Sequence, residues 1–121
     1  DQPEEAEAAV EELETTARNF ESPVFETTAL QGRGAIYLAR GEAEKAAMEL
    51  RRAMKSWNDL DLPYRSARAR MLLAQPYARS GDREDAALEL QAARSTFEKL
   101  GAVRDARAVN GLLGDLESGM Q

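Results

Sequence analysis

One ten-residue stretch occurs twice in this chain and decides its fold. Residues 41–50 read GEAEKAAMEL, and residues 81–90 read GDREDAALEL. The same forty-residue offset aligns further identical residues, among them Pro23 with Pro63, Tyr37 with Tyr77 and Leu60 with Leu100. Self-similarity at a fixed period of this length is typical of stacked supersecondary units. The sequence therefore predicts a repeat protein.

Each forty-residue unit is expected to contain two helices. Pro23 and Pro63 stand where the first turn of a helix tolerates a missing N–H. Gly41 and Gly81 follow, where glycine can adopt the left-handed conformation that ends a helix. No stretch alternates apolar and polar residues with period two, so no strand is expected. Extending the register outward predicts about six antiparallel helices, near residues 4–20, 23–40, 42–60, 63–80, 82–100 and 103–117.

An apolar stripe recurs at three-to-four spacing along the second helix of each unit, as on a helix that packs one face against its neighbours. Its members are Ala46, Leu50, Ala53, Trp57 and Leu60, repeated as Ala86, Leu90, Ala93, Phe97 and Leu100, with Ala6, Val10, Leu13, Ala17 and Phe20 in the first helix. Trp57 shares its position with Phe97, so we expect it to fill the core and not to stack on a ligand.

The composition limits the chemistry available to the chain. It contains no cysteine and no histidine, which removes thiolate nucleophiles, disulfides and the commonest metal ligand. We also find no nucleophile–base pair and no phosphate-binding loop. We therefore expect a protein that is not an enzyme and that carries no cofactor and no catalytic or metal site.

The net charge of −6 is concentrated at one end of the chain. Residues 1–26 contain nine acidic residues and one basic residue, whereas the remaining 95 residues contain 13 acidic and 15 basic ones. A duplex-binding protein needs clustered positive charge, so direct nucleic-acid binding is not expected. The acidic cluster is expected to be a solvated helix face, with binding of cations or of a basic partner as the alternative. It comprises Glu4, Glu5, Glu7, Glu11, Glu12 and Glu14.

No run of residues approaches the roughly 18 apolar positions that a transmembrane helix requires, and no charged-then-apolar leader opens the sequence. The first residues, DQPEEAEAAV, lack a starting methionine. We therefore expect a piece of a longer cytoplasmic polypeptide without a membrane partner.

Within each unit the spacing G-x-x-Y-x-x-x-G-x-x-x-x-A-x-x-x-L-x-x-A resembles the tetratricopeptide repeat. The residues that carry it are Gly34, Tyr37, Gly41, Ala46, Leu50 and Ala53, then Ala74, Tyr77, Gly81, Ala86, Leu90 and Ala93. The resemblance implies an all-α, right-handed solenoid of antiparallel helix pairs. It divides a single domain, residues 1–121, into a half repeat 1–22, repeats 23–62 and 63–102, and a terminal helix 103–121. The period of forty exceeds the usual one of about 34, and Leu30 and Arg70 replace a favoured tryptophan.

A narrower resemblance covers residues 28–113, on strings such as LPYRSAR and FEKLGA. They are similar to the long-period repeats of large bacterial regulators, which include LuxR-type proteins and repeat-bearing adenylate cyclases. This resemblance implies an interaction, scaffolding or sensing module of a signalling or transcriptional regulator.

In tetratricopeptide proteins the first helix of each pair lines a concave groove that binds a partner protein or peptide. By register, the resemblance assigns to this groove Thr28, Gln31, Ala35 and Leu38, then Arg68, Leu72, Gln75 and Arg79, continued by Ala108, Gly111 and Asp115. The family's clamp for C-terminal carboxylates is absent, because Gln31, Ala35 and Leu72 occupy its positions. Arg68 and Arg79 around Gln75 could pair with a carboxylate or phosphate, whereas the alternative is two solvated arginines with acidic neighbours.

Two other functions remain open at this level. The last helix could present Val109, Leu112, Leu113 and Leu116 for homodimer formation, or the groove could bind a small-molecule effector. Pro76 is expected within a helix, where it removes a hydrogen bond to the Leu72 carbonyl and favours a kink.

Overall fold

The computed structural model describes residues 2–20 and 22–119. It contains six α-helices in chain order: α1 (Gln2–Phe20), α2 (Pro23–Ala39), α3 (Ala43–Asp59), α4 (Pro63–Arg79), α5 (Arg83–Lys99) and α6 (Val103–Glu117). The described residues form no strand. Each helix packs against the next one along the chain, and α2 also contacts α4. The protein is an all-α, solenoid-like array, as the sequence predicts.

The helices from α2 onward begin at twenty-residue intervals because the same corner separates them. Residues Gly41, Gly81 and Gly101 have φ values of 78°, 83° and 71°, and Asp61 takes the equivalent place with φ 58°. Three residues after the last residue of each helix from α2 to α5, the backbone N–H returns to a carbonyl near the helix end, in the pattern of a Schellman motif. The bonded pairs are Glu42 with Tyr37 (2.9 Å), Leu62 with Trp57 (3.0 Å), Asp82 with Tyr77 (2.8 Å) and Ala102 with Phe97 (2.8 Å).

Helix starts follow the predicted proline signals. Pro23 and Pro63 occupy the first positions of α2 and α4. The Ser22 hydroxyl oxygen caps α2 by accepting a hydrogen bond from the Phe25 N–H at 3.3 Å. The acidic residues Glu42 and Asp82 stand at the N-caps of α3 and α5, but neither side chain makes a capping hydrogen bond.

The core runs through α3 and α5 as the apolar stripe predicts. Ala46, Leu50, Ala53 and Trp57 are buried, as are Ala86, Leu90, Ala93 and Phe97. The stripe prediction is wrong at its last position in α5, since Leu100 is 49% exposed. This residue caps α5 beyond the last helical turn, so its side chain no longer follows the helix periodicity. In α3, the corresponding Leu60 is half-buried.

Helix α1 is held to α2 by one buried apolar residue and two ion pairs. Val10 is buried beside Ala29 and Ile36, whereas Ala6 is exposed. Glu7 pairs with Arg40 at 2.6 Å and Glu14 pairs with Arg33 at 2.7 Å. The Glu14 contact raises the pKa of Arg33, chiefly through its hydrogen bond. The side chains of Ala17 and Phe20, also predicted in this stripe, lie outside the described residues.

Helix α4 continues through Pro76 to Arg79, and the proline ring is fully buried. The Pro76 carbonyl accepts the Ser80 N–H at 3.0 Å, so the helix ends in the ordinary way. In the described part of the chain, no helix has the length and apolarity needed to cross a bilayer.

Candidate functional site: the inner groove between α2 and α4

The side-by-side placement of α2 and α4 creates a groove of about 510 Å³, here called the inner groove. Helix α2 contributes small and polar residues, α4 contributes the charged wall, and α3 contributes one tryptophan. The lining residues are Thr28, Gln31, Gly32, Ala35, Trp57, Tyr64, Arg65, Arg68 and Leu72.

Five of the eight residues that the family register assigns to the groove line it: Thr28, Gln31, Ala35, Arg68 and Leu72. Leu38 is not one of the lining residues, and its side chain is 7% exposed. Only its backbone takes part in the surface chemistry, since the Leu38 carbonyl accepts a hydrogen bond from Arg79 Nη1 at 2.9 Å. The prediction of a Leu38 side chain in the groove is therefore wrong.

Arg68 and Arg79 do not form one basic site around Gln75. Eleven residues of helix separate them, which corresponds to about 16 Å along the axis. Arg68 pairs with Asp105 on α6 at 3.3 Å, whereas Arg79 binds the end of α2 through the Leu38 carbonyl. Arg68 thus fits the alternative of an arginine with an acidic neighbour, and the two guanidinium groups contact different partners.

Trp57 forms the base of the inner groove and is 2% exposed, so its predicted role in the core is confirmed. Its Nε1 donates a hydrogen bond to Gln31 Oε1 at 2.9 Å. Because an indole N–H can only donate, the Gln31 amide must turn its oxygen towards the tryptophan. The Gln31 Nε2 group is then directed away from the indole and remains a donor.

Arg65 is a groove residue that the sequence interpretation missed. Its guanidinium carbon lies 5.1 Å from the centroid of the Trp57 ring, within the range of a cation–π contact. A sequence signal for this pair does exist: residues 57 and 65 are each four residues from Asp61, at the corner. In an antiparallel helix pair, residues equidistant from the corner lie opposite one another.

Tyr64, Arg68 and Asp105 close the α6 side of the groove. The Tyr64 hydroxyl donates to Asp105 Oδ2 at 2.8 Å, and Arg68 Nη1 donates to Asp105 Oδ1 at 3.3 Å. The hydrogen bond to Asp105 raises the pKa of Tyr64 above its usual value. The Tyr64 ring also packs edge-on against buried Phe97, with centroids 5.6 Å apart. This cluster links α4 to α6 and fixes the position of Arg68.

A second cavity of about 550 Å³, here called the terminal pocket, involves α4, α5 and α6. Its walls are mainly apolar, and it contains the remaining predicted groove residues of α4, Gln75 and Arg79, together with Asp115. The full lining is Met71, Ala74, Gln75, Ala78, Arg79, Leu90, Leu112, Asp115 and Leu116. Ala108 and Gly111, predicted to continue the groove, are exposed on α6 outside both cavities.

The apolar residues of α6 point mostly into the array. Val109 is 0% exposed, so it cannot contribute to a docking surface and its predicted role in self-association is wrong. Leu112, Leu113 and Leu116 are half-buried against the cluster of Ala86, Leu90 and Phe97. The predicted dimer surface is therefore largely used within the chain.

Across the described residues, no group of three or more acidic side chains is arranged to hold a metal ion. No protein-family model, no curated protein and no solved structure matches this chain.

Proposed function

We propose that this chain is a protein-recognition module of the tetratricopeptide type, which binds a segment of a partner polypeptide in the inner groove. The observation that carries the proposal is the groove itself. It is bordered by α2 and α4, the first helices of successive units, and the motif residue Gly34 packs closely against Leu50 of α3. Its lining combines the small and apolar residues Gly32, Ala35 and Leu72 with polar side chains.

The shape and chemistry of the groove favour peptide binding over catalysis. A peptide can lie along a surface bounded by separate helices, and small residues at the base leave room for its backbone and side chains. The rim offers hydrogen-bond donors from Gln31, Arg65 and Arg68, while the Thr28 hydroxyl already donates to the Val24 carbonyl at 2.8 Å. These groups bind and orient a ligand, and they include no nucleophile with an adjacent base.

The test is to select peptides from a random display library and to ask whether they occupy the groove. Ala35 is exposed and lines the groove, so Ala35→Trp should fill it and reduce peptide affinity at least tenfold. Ala39 is also exposed on α2 but lies outside the lining, and Ala39→Trp is the matched control. Failure to select any peptide, or equal binding by both variants, would reject the proposal.

The wider setting is proposed from the narrower sequence resemblance. We infer a sensing or scaffolding arm of a larger cytoplasmic regulator of bacterial type, acting without direct nucleic-acid or membrane contact. The flanking sequence of the same polypeptide tests this: a phosphate-binding loop or a helix–turn–helix would support it, and flanking regions of another class would remove the basis for it.

Self-association is a second candidate, favoured by a different face of α6 from the one predicted. Gly114 is the forty-residue counterpart of Ala74 and Gly34, which pack near Leu90 and Leu50 on the following helices. A Cβ on Gly111 or Gly114 would meet no atom within 4 Å. This face is where a helix equivalent to α3 or α5 would pack, and α1 of a second copy has the same register.

Light scattering over a concentration series tests this second candidate. The measured mass should rise with concentration in the wild type, and Gly114→Arg should keep the protein monomeric. Gly41→Arg, at a corner distant from α6, is unsuitable as a control because the positive φ of Gly41 disfavours any side chain. Ala39→Arg, on an exposed part of α2, is the better control. A wild-type monomer at millimolar concentration would exclude the assembly.

A further inference from the structure

We propose that the inner groove selects partner segments that carry a side-chain carboxylate, bound by Arg65 together with Arg68 and the Gln31 amide. This inference rests on the proposed function and adds the chemistry of the partner. It concerns an acidic residue within a peptide and does not require a free C-terminus.

Arg65 is the residue that makes the groove selective. Its guanidinium lies over the Trp57 ring, and among the described residues it forms no ion pair. Arginine can stack on an aromatic ring and still use its planar N–H groups to bind a carboxylate in a bidentate manner. The contact with Trp57 therefore orients a cation at the groove without neutralising it.

Gln31 adds a neutral donor beside this cation. The Trp57 N–H occupies its oxygen at 2.9 Å, so Nε2 is the amide group left for a ligand. The Thr28 hydroxyl hydrogen is engaged by the Val24 carbonyl. The unsatisfied polar groups at the groove are thus mainly donors, and a complementary ligand has to bring acceptors.

The chain already shows how this wall holds a carboxylate. Asp105 receives hydrogen bonds from Arg68 at 3.3 Å and from Tyr64 at 2.8 Å, and its side chain is largely covered. A ligand carboxylate at Arg65 would lie beside this arrangement and could share the outer N–H groups of Arg68. Because Asp105 offsets the charge of Arg68, the groove carries about one net positive charge.

A single net positive charge fits one carboxylate better than a polyanion. Nucleic-acid binding depends on several cations that neutralise successive phosphates. Here the chain has a net charge of −6, and α1 contains six glutamates against one arginine. An oligonucleotide would be repelled at long range by this negative charge, whereas a peptide with one acidic residue would lose little binding free energy to the same repulsion.

Trp57 provides the assay, because it is the only tryptophan in the sequence and forms the base of the groove. Its emission can be followed while the protein is titrated with pools of acetylated, amidated heptapeptides. The pools carry a central Glu, Gln or Lys between degenerate positions that exclude tryptophan. We expect the Glu pool to bind about tenfold more tightly than the Gln pool, which corresponds to about 1.4 kcal/mol. The Lys pool should bind most weakly.

Arg65→Gln should abolish the preference for Glu, whereas Arg83→Gln, an equal change of charge at an exposed residue of α5, should leave it intact. Circular dichroism checks that both variants remain folded. Equal affinity for the Glu and Gln pools, or an unchanged preference in Arg65→Gln, would overturn the inference while peptide binding itself stands. Absence of binding by every pool would count against the proposed function as well. Tighter binding of oligothymidylate than of the Glu pool would overturn the inference in favour of nucleic acid.

Discussion

Replacing Gly34 by alanine tests how closely α2 and α3 approach each other. A Cβ on Gly34 would lie 2.7 Å from Leu50 Cγ and 2.8 Å from Leu50 Cδ2. Carbon atoms in contact are normally about 3.5 to 4.0 Å apart, so the added methyl group overlaps its neighbour by about 1 Å. Leu50 is fully buried and has little room to move.

Two opposing effects set the magnitude. Alanine favours a helix interior over glycine by about 1 kcal/mol, whereas an extra methyl group in a packed core costs about 1 to 3 kcal/mol. We expect Gly34→Ala to lower the free energy of unfolding by about 1 kcal/mol. Gly111→Ala is the matched control, because it lies inside α6 with no atom within 4 Å of its Cβ. That variant should gain about 1 kcal/mol.

Urea denaturation followed by circular dichroism measures both changes, and the difference between the two variants cancels the helix propensity of alanine. In a Leu50→Ala background, Gly34→Ala should become neutral or stabilising because the overlapping atoms are gone. If Gly34→Ala stabilises the wild-type protein as much as Gly111→Ala does, the close packing of α2 on α3 is incorrect.

Three further changes are expected to have measurable effects. Asp61→Gly should raise the free energy of unfolding by about 0.5 to 1 kcal/mol in urea denaturation, because φ at this corner is 58°, and destabilisation would contradict the left-handed assignment. Tyr64→Phe should lose a constant increment of stability at pH values well below 10.0, the ordinary pKa of tyrosine. This increment comes from the hydrogen bond to Asp105, which raises the pKa of Tyr64, so it disappears as the pH rises through that raised pKa. Denaturation at stepped pH values would refute this if the difference in stability between wild type and variant persisted or grew. Pro76→Ala should stabilise by about 1 kcal/mol in thermal unfolding, since removing a proline from a helix interior gains about 3 kcal/mol and losing the buried ring methylenes costs about 1.6 kcal/mol; a clear loss of stability would show that the ring is essential to the packing.

Helix positions could be predicted from the sequence because their signals are local. The helix-starting prolines and the corner glycines stand at a constant spacing along the chain. The observed ends of α2 to α6 differ from the predicted ones by no more than one residue. Core membership followed from the same register through Trp57 and Phe97. It failed at Leu100, where the chain leaves the helix, because the periodicity applies only within helical backbone.

The site was less predictable because it depends on distances between helices. The register placed Arg68 and Arg79 on one face of α4, but it carried no information about which neighbours each side chain reaches. The contact of Arg65 with Trp57 crosses a corner, and only the equal distance of both residues from Asp61 indicates it in the sequence. Val109 was assigned to the surface because no helix follows α6, although the terminal helix still buries the side that packs against the preceding helices.

The links between alternate helices have a consequence for the elasticity of the array. Extensive packing in the described chain joins consecutive helices, whereas α2 reaches α4 through the Arg79 hydrogen bond to Leu38, and α4 reaches α6 through Asp105. Bending the array changes the spacing of alternate helices and strains these few polar contacts, while the apolar layers only pivot. We therefore expect the curvature of the array to change easily, and a ligand spanning the inner groove to reduce that change.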